Sequence, residues 1–337
     1  RLTVVPVQPK SENTTAAAHA LSTAHVVSIP MRTKFRGVSQ REALLFQGTE
    51  GWAEWSPFTE YGDEEAAIWL TAALSFANDP LPESRRSAIG INATLPAVGP
   101  DEIGVTLRPF GQFRTAKIKV AEPGQTLDDD IARITKTHEL YPSARLRLDA
   151  NGGYSVADAI ELGYRLVDAG IDLDYFEQPV KTIAELAEAR IALNRIGIKV
   201  AADESVRKVS DPMAVAMAGA ADLLVIKAAP LGGIQRALDV VAQSGLPAVI
   251  SSALDTSVGI SMGLYLASAL PKLEFDCGLG TVALLADDVT EEPLVPEDGQ
   301  LTVQRVNPSE AKLQQLAASP ERTEWWLARL ERCLKLV

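Results

Sequence analysis

The sequence predicts an α/β fold: a (β/α)8-type, TIM-like barrel with an α+β capping domain built from the N-terminal and C-terminal segments. Two observations carry this prediction. First, Lys119, Asp149, Glu177, Asp203 and Lys227 each close a short apolar run (TAKIK, RLRLD, LDYFE, KVAAD and LLVIK), at intervals of 30, 28, 26 and 24 residues. One strand, one helix and two loops take about that length. Charges at successive strand ends of a parallel barrel converge on the rim where that fold keeps its chemistry. Second, the chain has 337 residues, whereas a barrel of this kind takes roughly 250. The surplus suits one small extra domain, and a hydrophobic content of 47% can fill both cores.

The elements follow in order. Residues 1–24 are mixed in character, with a polar stretch at Lys10–Thr15, and are expected to be a mobile N-terminal segment. Residues 25–86 read as the N-terminal part of the capping domain. VVSIPM, ALLFQG and GWAEWS are strand-like runs with a turn at Gly51, and Asp63-Glu64-Glu65 then opens the helical pattern AAIWLTAALSFA. Acidic residues suit the first turn of a helix because its unpaired N–H groups are electropositive.

Residues 87–284 read as the barrel, with strands expected at 88–95, 115–120, 145–150, 172–177, 199–204, 223–228, 248–253 and 275–280. Between them lie segments such as LDDDIARITKTHEL, SVADAIELGYRLVDAG and TIAELAEARIALNRIG, with apolar residues at helical spacing. Residues 285–337 leave this rhythm. They contain a candidate hairpin, LVPEDGQLTV, and a last helix starting at Ser319-Pro320, a capping residue followed by a proline at the first helical position. This segment is expected to pack back on the capping domain.

The net charge of −12 disfavours nucleic acid and anionic membranes as partners. The most apolar stretch, near residues 214–229, is interrupted by Asp222 and Lys227 and is too broken to span a bilayer. No basic region followed by an apolar core marks a secretory leader. Cys277 and Cys333 have no metal-site spacing and read as reduced thiols of a cytoplasmic protein. His19, His25 and His138 lie away from the strand ends, and no Ser-His-Asp or Cys-His arrangement is visible.

Taken singly, each charged residue has an ordinary explanation. Asp149 could serve a turn, Glu177 could be solvated beside Pro179, Asp203 could cap a helix, and Lys117-x-Lys119 could be a solvated strand face. In register they read differently. Lys117 and Lys119 share one face of their strand, and the alternating Ala116 and Ile118 suit the helix-covered outer face, so both lysines are expected inside the barrel. Three carboxylates crowded on one rim repel unless a cation lies among them. A set of oxygen ligands without His or Cys points to Mg²⁺ or Mn²⁺ rather than zinc. Gly232-Gly233 and Gly278-Leu279-Gly280 match no full nucleotide motif. They read as tight turns in preference to a phosphate cradle of backbone amides, and amides at the ends of the seventh and eighth strands, with Ser251 or Ser252, could instead hold a substrate carboxylate.

These residues resemble the signature of the enolase superfamily, muconate-lactonising subgroup: the K-x-K of the second strand, Asp, Glu and Asp of the next three, and the Lys of the sixth. The longer strings LDANGGYS, YFEQP, AADESVRK, VIKAAPLGGI, SSALDTSVGI and CGLGT resemble the actinobacterial o-succinylbenzoate synthases. So do IPMRTKFRGV and GWAEWSPFTEY in the capping segment, and the resemblance covers nearly all of residues 25–337.

It implies Mg²⁺-dependent dehydration of a small carboxylate, 2-succinyl-6-hydroxy-2,4-cyclohexadiene-1-carboxylate, to o-succinylbenzoate on the way to menaquinone. By the same resemblance Asp149, Glu177 and Asp203 hold the metal, Lys119 is the base, and Lys227 is the cation opposite. Asn151 and Glu204 orient the ligands, Arg36 lies on a loop that closes over the substrate, and the protein is a monomer. Two other readings compete. An N-acylamino acid racemase would use both lysines as bases on the same scaffold, and a non-catalytic barrel would serve only as a binding module.

Overall fold

The computed structural model describes residues 19–35, 37–207 and 211–337. Alternating apolar and polar residues from His25 onwards produce an antiparallel meander: β1 (His25–Phe35), β2 (Val38–Gln47) and β3 (Trp52–Trp55). Helix α1 (Asp63–Asn78) follows, and buries Trp69, Leu70 and Phe76. Of the N-terminal stretch expected to be mobile, residues 1–18 lie outside the described residues. Ala20 is buried, and Thr23 Oγ1 accepts from the Gln47 N–H at 3.0 Å.

The C-terminal chain completes the capping domain. Ser28 N–H donates to Leu316 O and Ala318 N–H to Val26 O, both at 2.9 Å, which lays residues 316–318 along β1. The last helix (Pro320–Cys333) begins as expected, with Ser319 Oγ accepting from the Arg322 N–H. It buries Trp326 edge-on against Trp55 at 5.4 Å, and Arg322 and Trp326 both donate to Glu42.

Seven strands form one parallel sheet: β5 (Ala93–Leu95), β6 (Thr115–Lys119), β7 (Arg145–Asp149), β8 (Leu173–Glu177), β9 (Val200–Ala202), β10 (Leu223–Ile226) and β11 (Ala248–Ile250). Two expectations change here. The single strand expected at 88–95 divides: β4 (Ala88–Gly90) leaves the barrel to pair antiparallel with β12 (Gln300–Thr302), and only 93–95 stay in the parallel sheet. The eighth strand, expected at 275–280, is reduced to two parallel bridges, Ile91 to Cys277 and Ser251 to Gly278, which close the curled sheet.

The stretch around Gly90 also passes close to the segment around Asp276. A Cβ at Gly90 would lie 2.2 Å from Asp276 Oδ1, so the chain passes residue 276 too tightly for a side chain there. The expected C-terminal hairpin is present as a tight turn with Asp298 and Gly299 both at positive φ. It closes with one antiparallel bridge, Glu297 to Gln300, and its outgoing strand then pairs with β4.

Helices lie along the outside of the sheet: α2 (Ile103–Leu107), α3 (Leu127–Leu140), α4 (Val156–Asp168), α5 (Ile183–Asn194), α6 (Asp211–Met217), α7 (Ile234–Ser244) and α8 (Ser257–Ala269). Among the described residues, no helix is long and apolar enough to cross a membrane. Cys277 and Cys333 are buried free thiols.

Cap and barrel meet through a buried polar junction. Arg41 donates to Leu254 O, Ala253 O and Ser56 O, while Glu54 accepts from Ser56 Oγ, from the Thr256 N–H and hydroxyl, and from the Gly259 N–H. Burial, and next the charge of Asp255, push Glu54 from 4.5 up to about 7. A raised carboxyl favours the folded state fully below the unfolded value, and loses that contribution as pH rises through the folded value. Glu54→Gln is therefore expected to gain melting temperature over the native protein at pH 8 but not at pH 4. An equal change at both pH values in a melting series would refute this.

Candidate active site

The barrel register assembles the site. Lys119 lies beside Asp149 and Asp149 beside Glu177 on three neighbouring strands. Glu177 pairs with Ala201, so Asp203 projects just beyond the end of β9, and Lys227 follows the last residue of β10. Each strand stops where its charged residue meets the mouth. Pro179 lacks the N–H that a continuing ladder needs, and Gln178 before it turns to φ 35°. Asn151 plays the same part after Asp149, at φ 45°.

Lys117 and Lys119 face inward as expected, at 8% and 9% exposure, and the three carboxylates are buried to 5% or less. Lys117 Nζ donates to both oxygens of Glu177, at 2.9 and 3.1 Å, and lies 3.1 Å from Asp149 Oδ2. Lys227 Nζ donates to Asp203 Oδ1. Lys119 Nζ is held differently, donating to Asn151 Oδ1 at 2.7 Å. Asn151 in turn donates to Glu204 Oε1 at 3.0 Å through its amide, and to Asp149 Oδ1 at 3.2 Å through its backbone N–H. Asn151 thus ties one lysine to two acids. Asn151→Ala is expected to lower kcat by about tenfold or more, as loss of an orienting hydrogen bond does; steady-state kinetics with unchanged kcat would contradict it.

The electrostatics are those of negative charge short of a cation. Burial, then Asp149, push Glu177 up to about 8, while Lys117 and Lys227 pull against that rise. Burial also opposes the charge on Lys117, yet Asp149 and Glu177 outweigh it and hold that ammonium well above its usual range. Burial opposes the charge on Asp203, yet Lys227, Arg207 and Lys117 together outweigh it and depress the carboxyl. Glu204 Oε2 is buried without a hydrogen-bond partner. Among the described residues, no three acidic, His or Cys side chains form a ready-made ion cage; the lysines stand between the acids instead. An all-oxygen donor set with an unpaired buried oxygen suits a hard divalent cation, which would have to displace ammonium contacts on entering.

The remaining expected residues fall into two groups. Ser252 Oγ donates to Gly278 O at 3.0 Å and is also within hydrogen-bonding distance of Thr281 Oγ1, while Ser251 Oγ reaches the same Gly278 carbonyl at 3.5 Å. The Gly278 N–H donates to Ile250 O at 2.8 Å, so it closes the barrel and the glycine positions serines rather than offering its amide to a ligand. The Leu279 side chain is fully buried against Gly263 of α8, in the layer between sheet and helix. Arg36 lies outside the described residues.

Three residues that sequence reasoning passed over also serve the mouth. Gln178 Oε1 accepts the N–H groups of Asp203 and Ser205, at 3.0 and 3.2 Å, and so fixes the Asp203 loop to β8. Arg207 donates to Glu204 Oε1 at 2.8 Å and to Tyr61 Oη of the capping domain at 3.2 Å. A polar residue held between Glu177 and Pro179 was the available signal for Gln178; nothing local marked Arg207 or Tyr61.

Comparison with known proteins bears on this geometry. Residues 26–77 match the family described as enolase N-terminal domain-like, and residues 107–308 the one described as enolase C-terminal domain-like. The o-succinylbenzoate synthase of Mycobacterium marinum is 49% identical over 313 residues, 93% of this chain and 94% of its own. That of Mycobacterium tuberculosis H37Rv is 47% identical over 334 residues, 99% and 98%. Muconate lactonizing enzyme from Pseudomonas fluorescens superposes with TM-score 0.74 at 20% identity, covering 88% of this chain and 98% of that one. The L-Ala-D/L-Glu epimerase of Bacillus subtilis gives 0.72 at 21% identity, covering 85% and 96%. At such identities the two structures share the fold.

Proposed function

The chain belongs to the enolase superfamily and, within it, to the o-succinylbenzoate synthases, and from that premise we propose how its own residues carry out the dehydration. The substrate is 2-succinyl-6-hydroxy-2,4-cyclohexadiene-1-carboxylate and the product o-succinylbenzoate. The observation that carries the assignment of roles is the buried array at the strand ends, in which Lys119 is the lysine bonded to a neutral amide rather than to a carboxylate.

Asp149, Glu177 and Asp203 would hold Mg²⁺, whose charge, when bound, stabilises the substrate carboxylate as negative charge builds on it. The pairing of a lysine base with Mg²⁺ is the superfamily's general pattern rather than a deduction from this site. Lys119, in its neutral form, takes the proton α to the carboxylate, and the C–H electron pair passes into an enediolate. Lys119, now an ammonium, returns that proton to the hydroxyl on the neighbouring ring carbon. The C–O bond breaks, water leaves on the same face, and the ring becomes aromatic. Asn151 orients Lys119 through the 2.7 Å contact. Lys227 remains a cation and stabilises the enediolate from the opposite side. Lys117 neutralises Asp149 and Glu177 within the barrel.

The racemase reading uses the same two lysines as alternating bases, and the epimerase neighbour supports it through fold alone. The test is turnover of the cyclohexadiene carboxylate, followed by loss of diene absorbance, with Mg²⁺ and again with EDTA. Mg²⁺-dependent formation of o-succinylbenzoate is expected. A folded, metal-loaded protein that left the diene intact yet exchanged the α-proton of N-acyl amino acids in D₂O would replace this reading with the racemase.

A further inference from the structure

Behind Lys119, on the helix side of the sheet, lies a polar cluster that the reaction does not use. Asp130 and Arg133 on α3 are 1% and 2% exposed, where a barrel helix ordinarily presents apolar side chains to its strands. Arg133 Nη1 donates to the carbonyl of Lys119 itself at 2.9 Å and to Asp130 Oδ1 at 2.8 Å. Arg133 Nε donates to Val98 O at 2.7 Å, and its remaining nitrogen donates to Gln125. The other oxygen of Asp130 accepts from the Ala121 N–H at 2.9 Å and from the Tyr154 hydroxyl. Tyr154 donates its own N–H to Pro179 O at 3.1 Å and sets its ring edge-on to Phe176.

The cluster therefore grips the loops that follow four consecutive barrel strands, β5 to β8. Its bonds hold the chain immediately after the base: the carbonyl of residue 119 accepts from Arg133, and the amide of residue 121, which sits in the left-handed region at φ 56°, donates to Asp130. A non-glycine residue holds that conformation only where its surroundings impose it. A fully buried ion pair is weak evidence for added stability, since apolar side chains of similar volume often do as well. What these ions supply instead is direction, because they hydrogen-bond to specific backbone atoms.

We propose that Arg133, with Asp130 and Tyr154, is a positioning device for Lys119. It fixes the peptide that follows the Cα of Lys119, while Asn151 fixes its ammonium. The inference rests on the reading of Lys119 as the base. Displacing a reacting group by about 1 Å is enough to lose roughly 10²-fold in rate.

The test compares Arg133→Met, Arg133→Lys, Tyr154→Phe and a destabilised control, Leu162→Ala, buried on α4 and outside the cluster. Arg133→Met is expected to lower kcat for the cyclohexadiene carboxylate by about 10²-fold with little change in KM, the mark of lost transition-state geometry. Arg133→Lys should recover part of that loss, and Tyr154→Phe should show a smaller fall. Leu162→Ala should lose melting temperature but keep kcat. Native kcat in Arg133→Met, or an equal loss in Leu162→Ala, would overturn the proposal. If Arg133→Met does not fold, native kcat in both milder variants overturns it. Should the native protein itself fail to turn over the diene, the proposed reaction falls. The cluster is then judged by amide exchange at residues 119–122: faster exchange in Arg133→Lys and Tyr154→Phe supports it, and unchanged exchange refutes it.

Discussion

Lys119→Ala is expected to lower kcat by roughly 10²–10⁴-fold, the usual contribution of a positioned general acid or base, while Mg²⁺ affinity stays near native. The separation follows from the hydrogen bonds. Lys119 donates to Asn151, whereas the three carboxylates are paired with Lys117 and Lys227. Removing Lys119 thus takes the proton acceptor and leaves the cation-binding acids with their neighbours. Calorimetric titration with Mg²⁺ checks the second half, and turnover the first. A variant that binds metal normally and still dehydrates the diene at the native rate would strip Lys119 of its role.

Asp149→Asn is expected to weaken Mg²⁺ binding by at least roughly 10²-fold, the upper end of what loss of a supporting residue around a metal costs, and to lower turnover with it. Asp149, Glu177 and Asp203 supply the anionic oxygens of the rim, and Lys117 and Lys227 already stand against them. Asp149→Asn takes one carboxylate from that set and so weakens its attraction for a divalent ion. The change is nearly isosteric, and the Asn151 N–H still finds an acceptor oxygen at position 149, so folding should survive. Native metal affinity in a calorimetric titration would remove Asp149 from the ligand set and, with it, the reading of the rim as a metal site.

How much of this was legible beforehand depended on how local each feature is. Strands β6 to β10 and their terminal charges were legible because each apolar run is bounded by turn residues and ends in a residue expensive to bury without a partner, and β11 from its apolar run alone. The last helix was legible from Ser319-Pro320. The run at 88–95 read as one strand, and it divides because residues 88–90 find an antiparallel partner in 300–302, far along the chain, while 93–95 pair with β6. The stretch 275–280 had a strand's composition but forms only two bridges, since its neighbours at the closing seam offer short edges: three residues at Ala248–Ile250, and Ile91 at the point of division.

Function followed the same division. The residue types at the rim, oxygen ligands and lysines without His or Cys, were enough to name a class of chemistry. The lysine bonded to an amide could not be told from those bonded to acids, because Lys119 and Asn151 are 32 residues apart and Lys117 and Glu177 are 60 apart. Nor could the use of the Gly278 amide in closing the barrel be foreseen.

The sequence by itself determined the order of strands and helices, the inward face of β6, and the placing of five ionisable residues at successive strand ends. Those properties depend on short-range dihedral preference and on apolar periodicity, which are written within a few residues. Only the tertiary structure decided which acid each lysine neutralises, that Asn151 spans Lys119 and Glu204, that Arg207 reaches Tyr61 of the cap, and that Arg133 holds the carbonyl of Lys119. Those contacts depend on how far the sheet curls and where it closes, and hydrogen bonds that require a separation near 3 Å exist only once that closure is set.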